Sequence, residues 1–132
     1  MKFRLICILA ATLLGAQAQS LFAQQQPEEV DIYEQIELEA DRLQRVLELE
    51  GWQVFYVDST LKHDYIAMQA EVQKLADAKV ANRDMYIMVQ DKWLDQIDAT
   101  YKRIFTEEQW AAYLKQGAAK YQKARAKRKA KN

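Results

Sequence analysis

One cysteine, one histidine, one proline and three glycines occur in the 132 residues. A lone cysteine forbids an intramolecular disulfide and a thiolate metal cluster. One histidine and three glycines leave too little for most hydrolase triads, zinc-protease motifs or phosphate-cradling loops. The chain therefore reads as non-enzymatic, with no cofactor, no metal and no nucleotide loop to couple it to ATP. The shortage of glycine and proline also argues against a sandwich or barrel, because each hairpin between short strands needs its own turn residues. Half of the residues are hydrophobic, and the expected class is all-α.

The first residues read as an address. Lys2 and Arg4 precede an apolar run from Leu5 to Leu14, and Ala16-Gln17-Ala18 after Gly15 has the small-x-small form that signal peptidase accepts. The expectation is a cleaved signal over residues 1–23, with the cut after Ala18 or Ala23, and a periplasmic or otherwise exported product. The run is about ten residues long, half of the roughly 20 that a membrane-spanning helix needs. Cys7 falls inside it as one more hydrophobe, leaving no cysteine beyond. The remainder reads as one small helical domain, 24–119, and a basic tail, 120–132. A chain of this size buries only about two-thirds of its unfolded surface, so long helices or a homodimer are expected to stabilise it.

Apolar periodicity predicts four helices in an elongated hairpin or bundle. After Pro27, Tyr33, Ile36, Ala40, Leu43 and Leu47 share one face of a first helix ending near Gly51. Val54, Val57, Leu61, Tyr65, Met68, Val72 and Leu75 form a heptad-like stripe along a second helix of about 27 residues. Phe55 and Tyr56 lie beside that stripe and either bury a second side or open an apolar groove. A break over 79–84, capped by Asn82 or Asp84, leads to a third stripe of Tyr86, Val89, Trp93, Ile97, Tyr101 and Ile104. Thr106-Glu107-Glu108-Gln109 is a capping box and starts a fourth helix bearing Trp110, Leu114, Gly117, Tyr121 and Ala124.

Charge is balanced overall, with 19 basic and 19 acidic residues, but it is unevenly placed. Residues 28–50 are strongly acidic. The tail carries Lys120, Lys123, Arg125, Lys127, Arg128, Lys129 and Lys131 with no acidic residue. Either the two ends attract within or between subunits, or Lys123, Arg125, Lys127, Arg128 and Lys129 meet an anionic membrane surface peripherally. Export makes nucleic acid the wrong partner for this tail.

The segment Tyr101 to Trp110, with Phe105-Thr106-Glu107-Glu108-Gln109 at its centre, resembles the second LTxxQ motif of the periplasmic LTxxQ family, the Spy/CpxP-like envelope-stress chaperones; Phe105 stands where the motif has Leu. About 56 residues earlier, Leu49-Glu50-Gly51-Trp52-Gln53 looks like a first copy whose Thr has become Glu. The motif residues are thus Leu49, Gln53, Phe105, Thr106 and Gln109, each set at a helix entry. The resemblance implies four long helices in a curved hairpin and a cradle-shaped homodimer. It also implies either ATP-independent chaperone action on unfolded envelope proteins or inhibition of a stress-sensing kinase.

Candidate protein-binding residues are Trp52, Phe55, Tyr56, Trp110 and Tyr113. Aromatic stripes on helices ordinarily pack inside, so the off-register Tyr56 and Tyr113 are the best candidates for exposure. His63-Asp64 with Asp58, and the row Asp91, Asp95, Asp98, can attract a cation, although scattered carboxylates with one histidine are more often a solvated face. Met68, Met85 and Met88 read as core filler. An adaptor docking one specific envelope partner is the alternative function, and a weak metal sensor the third.

Overall fold

The computed structural model describes residues 31–132, and among these every regular element is helical. The expected signal segment 1–23 and the leader after it lie outside the described residues.

Helix α1 (Ile32–Leu47) starts where Asp31 Oδ1 accepts the Tyr33 N–H at 3.0 Å, with Glu34 in the positive first turn. It ends before Gly51, the expected stop, because Glu48 itself takes the left-handed cap (φ 53°) and returns its N–H to the Gln44 carbonyl. Gly51 instead opens α2 (Gly51–Asp77), which has the anticipated 27 residues. Lys79 (φ 55°) reverses the chain, and Val80 N–H closes the turn on the Leu75 carbonyl at 3.0 Å. Asn82 then caps α3 (Arg83–Ile104) by accepting the Asp84 N–H at 3.0 Å.

The fourth helix is broken. It comprises α4 (Glu107–Tyr113), a wide turn (Leu114–Ala118) and α5 (Ala119–Lys131). The break sits at Gly117, whose φ of 122° is closed to side-chain-bearing residues. It also shifts the helical register, so Tyr121, expected on the inner face with Trp110, stands 66% exposed.

The core lies where α1 covers the first half of α2 and the last turns of α3. Ile36, Ala40, Leu43 and Leu47 of α1 meet Val57 and Leu61 of α2 and Ile97 and Tyr101 of α3, with Leu49 and Phe105 closing one end. Each fully buried aliphatic side chain contributes about 1.5–3 kcal/mol. Tyr33, the first position of the expected α1 stripe, is half exposed. No residue between Asp64 and Ile97 is buried. The stripe Tyr65, Met68, Val72 and Leu75 is only partly buried, because α2 and α3 run on past the cover of α1.

Candidate functional site

The two helix entries that carry the motif residues meet. Gln53 Nε2 donates to Gln109 Oε1 at 2.6 Å and to the Ile104 carbonyl at 2.9 Å. Gln109 Nε2 donates to Gln53 Oε1 at 3.1 Å and reaches the Glu48 carbonyl at 3.5 Å. Each Oε1 also accepts the N–H of its own N-cap residue, Glu50 at 2.9 Å and Thr106 at 3.0 Å. Both side-chain amides therefore use their full complement of two donors and two acceptors. Each glutamine caps its own helix and also satisfies a carbonyl at the C-terminal end of a neighbouring one, which would otherwise be left unpaired.

Thr106 Oγ1 completes its box by accepting the Gln109 N–H at 3.1 Å. The Glu50 carboxylate, in the equivalent place, accepts the Trp52 indole N–H at 2.7 Å. Leu49 and Phe105, which precede the two caps, are both buried beneath the joint. The result is a local two-fold likeness between residues 49–53 and 105–109.

This joint orients the aromatic residues beside it. Because Gln53 and Val57 turn inward, helical periodicity sends Trp52, Phe55 and Tyr56 outward. They are 51%, 67% and 50% exposed. Tyr56 meets Trp52 and Phe55 edge-to-face, with ring centroids 6.2 Å and 5.7 Å apart. The three make one ridge on the open face of α2.

Trp110 and Tyr113 lie elsewhere. Both pack partly buried against the core, with the Tyr113 ring 5.5 Å from Tyr101 and 5.8 Å from Phe105. The Tyr113 hydroxyl donates to Asp98 Oδ1 at 2.6 Å. The expectation of an exposed Tyr113 is thus corrected: a carboxylate one helix away gives its hydroxyl a buried partner. Burial first, then the Asp98 hydrogen bond, raises its pKa far above the usual phenol range. Burial likewise raises Tyr65 and Tyr101.

The basic tail is helical and partly engaged. Arg125, 6% exposed, bridges Asp95 at 2.6 Å and also binds Asp98. Arg128 holds Asp91 through two nitrogens at 2.7 and 2.8 Å. The row Asp91, Asp95, Asp98 is accordingly the counter-charge of α5. Desolvation opposes the charge on Arg125, but hydrogen bonding to Asp95 and the fields of Asp98 and Asp95 outweigh it and hold the guanidinium charged. Of the five cations expected to face an anionic surface, Arg125 is buried against α3 and Arg128, although exposed, is paired with Asp91 of α3, while Lys123, Lys127 and Lys129 stay exposed.

His63 Nδ1 stands 2.7 Å from Asp64 Oδ1, and Asp58 pairs with Lys62 at 2.8 Å. Among the described residues no cluster of three or more His, Cys, Asp or Glu is arranged to hold a metal ion, and no helix is long and apolar enough to cross a membrane. Met68 is half-buried, but Met85 and Met88 are exposed and do not fill a core.

Sequence reasoning placed both glutamines at helix entries but missed that they bond to each other. It also weighed Asp91, Asp95 and Asp98 only as a cation site. The signal was present in the matching spacing of 91/95/98 and 125/128, one face of each helix. Comparison with protein-family models, curated proteins and solved structures returned no match.

Proposed function

We propose that this chain is an exported, non-enzymatic helical protein of the LTxxQ kind, acting as an ATP-independent holdase or envelope-stress modulator that binds unfolded or envelope proteins, and that it works as a homodimer. The observation that carries the reading is the ridge of Trp52, Phe55 and Tyr56, three adjacent aromatic side chains at least half exposed. Such a surface holds extended apolar segments through non-specific contact, and it needs no reactive group. The meeting of Gln53 and Gln109 supports the family reading, because it gives the second motif copy a role that a solitary helix cap lacks.

The test is suppression of aggregation of a chemically denatured model protein at substoichiometric to equimolar ratios. A variant with Trp52→Ser, Phe55→Ser and Tyr56→Ser should lose suppression while keeping its helicity. Absence of suppression by the parent chain at several-fold excess rejects the holdase. Light scattering should report the mass of two chains.

A second reading, an adaptor for one partner, is favoured by the rigidity of the ridge. The Trp52 indole is pinned to Glu50 and the rings stand at 79° and 81° to one another, as in a preorganised hot spot. A holdase recovers many unrelated envelope proteins, whereas an adaptor recovers one dominant species. Peripheral membrane contact through Lys123, Lys127 and Lys129, each contributing about 1 kcal/mol near an anionic surface, is tested by salt-sensitive vesicle binding.

A further inference from the structure

What holds α5 to the rest of the molecule is charge. Its single buried residue is Arg125. Among the described residues, none of its apolar side chains belongs to the hydrophobic core or packs against it. Where an apolar interface is expected, a groove of about 370 Å³, open to solvent, runs between α5 and Tyr65, Leu94 and Tyr113. Ala118 and Ala124 line it on the α5 side and are too short to fill it, and Tyr121 stands 66% exposed. The helix departs from Gly117, whose left-handed backbone makes a ready pivot.

The latch consists of Arg125 on Asp95 and Asp98, and Arg128 on Asp91. Closing it strips water from Arg125 and Asp98, whose side chains are 6% and 14% exposed, and this cost offsets much of their attraction. The side-chain amide nitrogen of Gln122 on α5 is also buried without a partner, a further cost of the closed arrangement. Truncating one partner of the latch strands a charge, whereas swinging α5 away returns both partners to water together. Opening is therefore the cheaper event.

The two halves of the latch respond oppositely to an external field. Residues 119–132 carry seven cations and no acidic residue, and they lie on a row of three carboxylates. An anionic surface attracts the first and repels the second. Closed, α5 presents its lysines to such a surface; open, it adds Arg125 and Arg128.

We infer that α5 is a strap that opens about Gly117 when its cations meet an anionic lipid surface, uncovering the row Asp91, Asp95, Asp98 and the groove side of Tyr65, Leu94 and Tyr113. This rests on the peripheral contact of Lys123, Lys127 and Lys129 proposed above and adds a conformational consequence to it.

In the full chain, Cys7→Ser allows Gln96→Cys and Ala126→Cys, at exposed positions of α3 and α5, to carry two spin labels whose separation is read by pulsed electron paramagnetic resonance. Vesicles of phosphatidylcholine alone should leave the single short separation of the closed strap. Vesicles containing phosphatidylglycerol should bind the chain and lengthen the separation by at least about 10 Å, half the length of this 13-residue helix. Soluble glycerol phosphate at the same phosphate concentration should leave it short. Asp95→Asn with Asp98→Asn keeps an oxygen for the Tyr113 hydroxyl, removes the charge, and should show the long separation without vesicles. Failure to bind the anionic vesicles removes the peripheral contact and the strap together. Binding with an unchanged separation keeps the contact and overturns the strap, as would opening by glycerol phosphate or a short separation in the double variant.

Discussion

Gln53 and Gln109 exchange side-chain amide hydrogen bonds at 2.6 and 3.1 Å across the junction of two helix entries. Gln53 is almost fully buried, so truncating it strands the Ile104 carbonyl and the Gln109 amide. Gln53→Ala should therefore cost about 2–3 kcal/mol, and Gln109→Ala about 1–2 kcal/mol. The double variant should lose about 1 kcal/mol less than the sum, because either change alone already breaks the exchange. Urea unfolding of the four proteins measures the cycle, and strict additivity would show that the two amides are not coupled.

Arg125 and Arg128 look alike in sequence and should differ in weight. Arg125→Ala leaves the largely buried Asp98 without its cation and should cost about 2–3 kcal/mol, freeing α5. Arg128 is nearly half exposed, and Arg128→Ala should cost under about 1 kcal/mol. Hydrogen exchange along α5 separates the two outcomes.

Gly117→Ala should destabilise by about 1 kcal/mol or more. The obstacle is the backbone and not space, since a Cβ there would meet only Tyr121 Cε2, at 3.8 Å. The damage should stay local, loosening α5 while the Gln53–Gln109 joint keeps its protection. Amide exchange reads both sites in one experiment.

Alkaline pH should unfold the protein steeply. Burial raises the pKa of Tyr65, Tyr101 and Tyr113, so the folded chain keeps protons that the unfolded chain releases above about pH 10. Stability is fully present below that pH and falls as pH rises beyond it, by about 1.4 kcal/mol per pH unit for each tyrosine. Loss of helical circular dichroism should coincide with late tyrosinate absorbance. Tyr113→Phe should shallow the pH dependence by one group.

Helix number, the length of α2 and the Thr106–Gln109 cap were legible because each rests on local rules, namely apolar spacing and the needs of unpaired N–H groups. Which side of a stripe stays open was not. Tyr33 and Tyr121 occupy apolar positions of their helices and are still exposed, the latter because Gly117 re-aims α5. Glycine at 117 reads in sequence as a small residue in a face; only the backbone shows it as a break. Trp52, Phe55 and Tyr56 were legible as candidates, but their separation from Trp110 and Tyr113 depends on which residues α3 offers as partners. The Gln53–Gln109 contact joins positions 56 residues apart, beyond the reach of any local pattern.

The long overhang of α2 and α3 past the end of α1 divides the molecule into two tiers. Near the joint, opening a helix means exposing Ile36, Leu43 or Tyr101 to water. Toward Val80, where nothing is fully enclosed, the same helices can fray at little expense. Protease nicking should begin around residues 78–82 and leave the opposite end standing, a gradient of resistance that runs along a single pair of rods.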